Sequence, residues 1–388
     1  MKPRLLELLV CPIEKTRLEL IEWESSPVTL SRKDIGRIER LGLNPVVFSK
    51  EITSGLLVNR TRKIFYPIHN GVPRMLVFPT GVARHFLQTH AKRIRQELPG
   101  YTLPEDMPMP GEEAVLRSFS NEWVNYDWDE RTYWNLSSDV MYKTMRFLLD
   151  LAHRPVRDKL VLEVGIGIGG IANYMALKEE CELVGMDLSY AVHPAYKYFG
   201  RNPFLHIIQG SAFKPSFRGD IFDLVYSHGV LHHTFSTKSA FDNICKLPRH
   251  GGRLYVWVYS HYDEERTLER RILMKMERII RPVVWRLPNP LQTIALLPII
   301  PLYLIHQNLL DDRGQPGMVK YKVREALHAA RDRFTPRYVH RHTDAEVRSW
   351  FSEAGYTELQ CVSQRERPKF VPIAYATATG VDGVRSRI

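Results

Sequence analysis

Hydrophobic and polar positions fall into two regimes along the chain. Over residues 1–80 the apolar runs are short, at 18–21, 46–48 and 55–58, and they close with IFYPIHNGVPRMLVF, where Pro67, Gly71 and Pro73 punctuate as turns do. This pattern predicts a small β-rich unit. From Lys159 onward, KLVLEVG, CELVGMDLS, FLHIIQG, IFDLVYS and GGRLYVWVYS alternate with segments of helical spacing. That alternation predicts an α/β domain with a mainly parallel sheet. The series breaks after Ser260, and a helix, DAEVRSWFSEAGY, then leads to two last strands within TELQCVSQ and FVPIAYATATG.

Between the two regimes, PGYTLPEDMPMPG is dense in proline and reads as an irregular crossing. An aromatic stretch with Trp123, Tyr126, Trp128, Tyr133 and Trp134 follows, then the helical pattern VMYKTMRFLLDLA. In the later break, Leu268, Ile272, Met276, Ile279, Ile280 and Val283 recur at helical spacing with Arg270, Lys275, Arg278 and Arg281 among them. A basic amphipathic helix of this kind suits an anionic membrane surface, and equally a lid or a dimer face. Residues 287–310 lack Asp, Glu, Lys and Arg, but Pro288, Pro290, Pro298 and Pro301 argue against a membrane-spanning helix.

The 388 residues hold 54 Lys and Arg against 43 Asp and Glu, a formal net charge of +11. Such an excess fits a polyanion, an anionic membrane or an acidic substrate, or serves solubility alone. Cys11, Cys181, Cys245 and Cys361 lie far apart with no CxxC, which points to a reducing cytoplasm. Charge at Glu7 interrupts the leucine-rich start, so no secretory signal is expected.

The chemistry concentrates in VLEVGIGIGG, residues 161–170, where a strand meets a glycine turn and then a helix. Glycines allow close approach of the backbone to a ligand, and a helix start offers free N–H groups. Gly165, Gly167 and Gly170 also satisfy the GxGxxG of a dinucleotide fold, so a NAD dehydrogenase stays open at this point. Glu163 is placed to accept an ammonium group, Asp187 ends the next strand where an acid grips ribose hydroxyls, and Ser211 and Ala212 form a turn for an adenine edge. Ser227 and His228 follow the fourth strand. An imidazole such as His228 can take a proton from an attacking hydroxyl, with His232 and His233 as further candidates in LHHT. His340 and His342 lack a nearby acid pair, and no metal site is expected.

VLEVGIGIGG, GMDLS, IFDLVYSHGVLHHT and KLPRHGGRLYVWVY together resemble the motifs of S-adenosylmethionine-dependent methyltransferases with a seven-stranded sheet. More narrowly, DLSYAVHPAYKYF and RFTPRYVHRHTDAEVRSWFSEAGY are similar to a bacterial group that carries a short Trm112-like zinc-ribbon module in front. The resemblance implies a Rossmann-like class I sheet, with S-adenosylmethionine as cofactor. It implies contacts from Glu163, Gly165, Gly167, Gly169, Asp187, Leu188, Ser211, Ala212 and Ser227. It also implies five segments: 1–80, the module; 81–150, linker and aromatic segment; 151–262, the cofactor-binding core; 263–315, the helical insert; and 316–388, the completion of the sheet. The module departs from its pattern, since Glu14 stands where a second cysteine belongs and Asn59 and Arg62 where another pair belongs, so no zinc is expected.

These readings predict methyl transfer to a hydroxyl or amine of a small-molecule, glycan or lipid-like acceptor. The expected location is the cytoplasm, with peripheral contact at the inner face of the membrane through residues 264–310, and homodimerisation is left open. An RNA methyltransferase is the alternative suggested by the charge, although YSHG replaces the Asn/Asp-Pro-Pro-aromatic element of enzymes that methylate base amino groups, and nucleic acid is disfavoured. A non-catalytic binding module on the same scaffold is the other alternative.

Overall fold

A computed structural model describes residues 1–123, 128, 132–133, 136–261, 268–305, 308, 320–372, 375 and 378–386. The chain opens with α1 (Pro3–Leu8), then β1 (Glu19–Pro27), α2 (Arg32–Arg40), β2 (Lys50–Asn59), β3 (Ile64–His69) and β4 (Val72–Pro73). The four strands form an antiparallel sheet in the order β1-β2-β3-β4. Helix α2 starts at a capping box, in which the Asp34 amide donates to Ser31 Oγ and the Ser31 amide donates to the Asp34 carboxylate. The run at 46–48 is not a strand. Pro45 sets the first φ of a short 3-10 helix, Pro45–Phe48, and the Asn44 side chain caps it by accepting from the Val46 amide.

Where the zinc-ribbon pattern would place ligands, polar side chains bond to one another. Asn59 Nδ2 donates to Glu14 at 3.0 Å and to Thr16 at 3.2 Å, Arg62 stands 4.0 Å from Glu14, and Cys11 Sγ lies 3.3 Å from the Tyr66 hydroxyl.

Next come α3 (Gly81–Thr89), α4 (Ala91–Glu97), the irregular crossing, α5 (Glu112–Trp123), the short strands β5 (Thr132–Tyr133) and β6 (Leu136–Ser137), and α6 (Ser138–Leu148). The large sheet is built from β7 (Leu160–Val164), β8 (Glu182–Asp187), β9 (Leu205–Gln209), β10 (Phe222–His228), β11 (Pro248–Val258), β12 (Tyr356–Cys361) and β13 (Thr379–Arg385). Its order is β12-β13-β11-β10-β7-β8-β9, with β13 antiparallel to both neighbours and β7 to β11 parallel. Helices α7 (Gly170–Lys178), α8 (Val192–Phe199), α9 (Thr237–Ile244) and α14 (Asp344–Glu353) are its crossovers. Cover on both faces explains the near-continuous apolar runs, with all of β9 buried. The seven-stranded class I architecture expected from the motifs is the one found. The last strand begins at Thr379, at the end of the segment expected to hold it.

The first sheet is knitted into the large one. The Met75 amide donates to Gln209 O at 2.8 Å, so the chain beyond β4 runs parallel to the edge strand β9. The Val10 amide donates to Ser216 O, and the buried Lys2 ammonium reaches Gly200 O, Leu205 O and Glu51. Leu5, Leu57 and Tyr66 share one apolar core with Val184, Ile208 and Phe241.

A helical cap follows β11: α10 (Leu268–Val284), α11 (Asn289–Leu296), α12 (Ile300–Ile305) and α13 (Val323–Phe334). The expected amphipathic helix over 264–286 starts, in the described residues, at Leu268, and its residues 264–267 lie outside them. Val284, Leu296, Ile299, Ala330 and Phe334 form the cap's own small core, so α13, beyond the expected end of the insert, packs with it. No described helix is long and apolar enough to cross a membrane.

At the far side of the sheet, the fully buried Asp382 accepts from Arg253 at 2.6 Å and from Arg365 at 3.5 Å. Removing one partner of a buried ion pair leaves the others uncompensated. Asp382→Ala is therefore expected to cost about 3–5 kcal/mol, read as a lower urea midpoint; an unchanged midpoint would show the pairing to be energetically idle.

Candidate functional site

In open α/β sheets the crevice lies beyond the carboxyl ends of the strands, where the strand order reverses. Here the chain runs β7, β8, β9 outward and then returns to place β10 and β11 on the other side of β7. A cavity of about 220 Å³ sits above that reversal. Its floor is the glycine turn. Gly165 has φ +89°, and a Cβ there would lie 2.3 Å from Val230. Gly167 has φ +52° beneath the Trp123 ring. The Gly165 position therefore requires glycine, and the positive φ favours it at Gly167.

Asp187 ends β8 and ties the turn in place. Its carboxylate accepts from the Gly167 amide at 2.9 Å, the Ser189 amide at 2.8 Å and the Ser189 hydroxyl at 2.7 Å. Burial pushes the Asp187 carboxyl up, against the pull of those hydrogen bonds. Leu188, Ser211 and Ala212 continue the wall, with Glu112 of α5 beside them.

Gly165, Gly167, Asp187, Leu188, Ser211, Ala212, His228 and His233 all line the cavity. Glu163, Gly169, Ser227 and His232 stand outside its lining. Gly169 caps the start of α7, and the Ser227 hydroxyl donates to Val164 O inside the sheet. His232 is fully buried against the Tyr259 ring at 3.9 Å. Burial pushes the Glu163 carboxyl up to about 8, opposed by a hydrogen bond from Tyr226 and aided by the charge of Asp187.

His228 is tilted against Trp257 at 4.5 Å and stacked with Tyr375 at 5.7 Å, and burial pushes it down to about 3. His233 is oriented differently. Its Nδ1 lies 3.1 Å from Tyr338 O, so this nitrogen carries the proton and Nε2 is left as the acceptor. Nε2 stands 3.9 Å from Asp332 of α13, and burial holds the ring near 3. His340 and His342 bond to Thr234 O and to Glu346 and Thr237, and both stitch segments together outside the cavity.

Sequence reasoning missed the two acids that close the cavity from above. Glu122 of α5 is buried, and neither carboxylate oxygen accepts a hydrogen bond from a described residue; the His328 ring stands 3.7 Å away. Burial, then the charge of Asp332, pushes Glu122 well above the usual carboxylate range. Asp332 accepts from the Tyr259 hydroxyl at 3.2 Å, and burial pushes it up to about 6. Glu122 shares the buried stripe of α5 with Val115 and Ser118, an i, i+3, i+7 pattern that was available in the sequence. Asp332 sits off the buried stripe Ala326, Ala330 and Phe334 of α13 and carries no such signal.

Against this geometry the known proteins can be set. Residues 162–256 match the methyltransferase domain family, and residues 2–71 match the Trm112p-like proteins. The sterol 24-C-methyltransferase ERG6 of Saccharomyces cerevisiae is 30% identical over 129 residues, 31% of this chain and 33% of that one. The sterol 24-C-methyltransferase erg-4 of Neurospora crassa is 25% identical over 167 residues, 41% of this chain and 44% of that one. The match thus spans about a third of the length of the first of these relatives. Among solved structures, the complex of the Haloferax volcanii Trm112 methyltransferase activator with a methyltransferase aligns with 64% of this chain and 96% of the solved chain, at 16% identity and a TM-score of 0.36.

Residues 162–256 thus belong to a methyltransferase domain of the kind that uses S-adenosylmethionine, within the seven-stranded class I sheet. The whole chain joins that domain to a Trm112-like module, as the motif resemblance implied.

The unfolded chain ionises a glutamate near the ordinary 4.5, whereas folded Glu163 titrates near 8. Between those values only the unfolded state is charged, so Glu163 costs stability as pH rises through that window. Glu163→Gln is expected to raise the melting temperature at pH 8 and to leave it unchanged at pH 4.5, followed by thermal denaturation across pH. A lower melting temperature at pH 8 would mean that an ionised Glu163 is satisfied in the fold.

Proposed function

We propose that the protein transfers the methyl group of S-adenosylmethionine to a hydroxyl or amine of a small-molecule, glycan or lipid-like acceptor. One observation carries the reading: a single cavity joins the Gly165–Gly167 turn and Asp187 to a second, aromatic compartment beneath α13. The residues suit the cofactor. Asp187 is placed for the ribose hydroxyls, Ser211 and Ala212 with Leu188 for the adenine, and the glycine turn for the methionine portion. Glu122, a buried carboxylate with no hydrogen-bond donor among the described residues, takes over the part first assigned to Glu163 and receives the ammonium group. When bound, the cofactor supplies an already activated methyl group. The protein's part is to align the acceptor, exclude water and receive a proton.

Asp332 and His233 Nε2, 3.9 Å apart, are the proton-accepting pair in this reading. His228, packed against Trp257 and Tyr375, shapes the wall on the acceptor side. The matched sterol 24-C-methyltransferases favour an apolar, lipid-like acceptor body, in keeping with the rings of Phe119, Trp257, Tyr259 and Tyr375 in the lining.

The outer face of the cap supports a second element, peripheral membrane contact. Ile279 and Val283 of α10, Ile294 of α11 and Leu302 of α12 are each more than half exposed, and Lys275, Arg278 and Arg286 lie nearby in the chain. An apolar face with basic flanks suits an anionic bilayer.

Calorimetric titration is expected to give micromolar binding of S-adenosylmethionine and S-adenosylhomocysteine and none of NAD. Asp187→Ala should weaken both adenosyl ligands about tenfold or more, the worth of a charged hydrogen bond. Failure of both to bind would remove the enzyme reading. In a flotation assay the protein should rise with phosphatidylserine-containing vesicles and much less with phosphatidylcholine alone, and Ile279→Asp with Val283→Asp should abolish it. Equal recovery of wild type and the double variant would remove the membrane element.

A further inference from the structure

The electrostatic character of the cavity narrows the acceptor. Four carboxylates line it, Glu112, Glu122, Asp187 and Asp332, and no lysine or arginine does so among the described residues. This contrasts with a chain of net charge +11, so the acidity is local. The cofactor reading gives Asp187 a ribose and Glu122 an ammonium group. Glu112 is engaged by the Met109 amide at 2.9 Å, at the adenine end. Asp332 remains, and it faces the acceptor compartment together with His233 Nε2, a nitrogen of a nearly fully buried ring that accepts no hydrogen bond from a described residue.

The rings of Trp257, Tyr259 and Tyr375 surround that compartment. Aromatic faces attract a desolvated cation, by about 2 kcal/mol or more when water is excluded. A carboxylate next to such faces repels phosphate and carboxylate groups and gives a neutral hydroxyl no charge to match. Resting on the methyltransferase reading, we propose that the acceptor is an amine, which enters as an organic ammonium and is held by Asp332 within this aromatic wall.

The ammonium must lose a proton before its nitrogen has a lone pair to offer. Asp332 is the acceptor in direct reach, and it keeps the proton, with His233 Nε2 3.9 Å away. The ammonium becomes a neutral amine as one carboxylate becomes a carboxylic acid, so charge and protons balance. Arg281 and Arg333 attract the Asp332 carboxylate from a distance, but the ion pairs they make are with another acid. Arg281, Arg333 and Arg341 all approach Glu277, while Tyr259 brings only a hydroxyl.

The test uses the full chain saturated with S-adenosylhomocysteine, with 2-phenylethylammonium and 2-phenylethanol as probes of matched shape. Calorimetry should show the ammonium binding at least about tenfold more tightly than the alcohol. Asp332→Asn should erase that difference and Asp332→Glu should restore it, while S-adenosylhomocysteine affinity stays the same in all three proteins. Equal binding of the two probes, binding of neither, or a preference that survives Asp332→Asn would overturn the proposal. Loss of S-adenosylhomocysteine binding in the wild type would instead strike the cofactor reading, so the two failures are distinguishable.

Discussion

A parallel sheet that grows from β7 to β9 in one direction and then from β10 to β11 in the other leaves its helices on opposite faces at the reversal. The carboxyl ends of β7 and β10 open there into loops, and α5 and α13 close the gap from above. The Asp187 carboxylate makes this gap a defined shape, since it bonds at once to the turn after β7 and to the turn after β8. The gap gathers carboxylates at a cost in stability. Burial drives Glu122, Asp332 and Glu163 toward their neutral forms, and a fold selected for stability alone would put apolar residues there.

The N-terminal sheet is too small to carry a large core of its own, and small units of this kind usually rely on a staple such as bound metal. Two sets of contacts hold this one. Glu14, Thr16, Asn59 and Arg62 bond to one another at the knuckles, and the sheet shares apolar residues with the larger domain. The arrangement serves both parties, because the chain at Arg74 and Met75 covers the edge of β9 that would otherwise be open to pairing with another chain.

How much of this was legible followed from where each signal lies. The strands of the large sheet were readable because residues buried on both faces must be apolar in unbroken runs, and the turn at 165–170 because few side chains fit a positive φ against packed neighbours. The run at 46–48 misled, since three apolar residues have no period, and Pro45 with Asn44 favoured a tight helical turn. Among the three candidate histidines, spacing alone could not say how each ring is held. For His233 that depends on the Tyr338 carbonyl, over a hundred positions away in the chain. Asp332 was the least legible of all, because an acid on an exposed-looking helix has the same pattern whether it meets water or a pocket.

The joint between the two sheets also sets an order of events. Lys2 needs the carbonyls of residues 200 and 205, and Met75 needs that of residue 209. During synthesis the first sheet therefore leaves the ribosome without the surface that completes it, for on the order of ten seconds at ordinary elongation rates. Through that interval its apolar face is a client for chaperones. Once β9 has docked, the two parts share one core, remain in a fixed one-to-one ratio and cannot exchange partners.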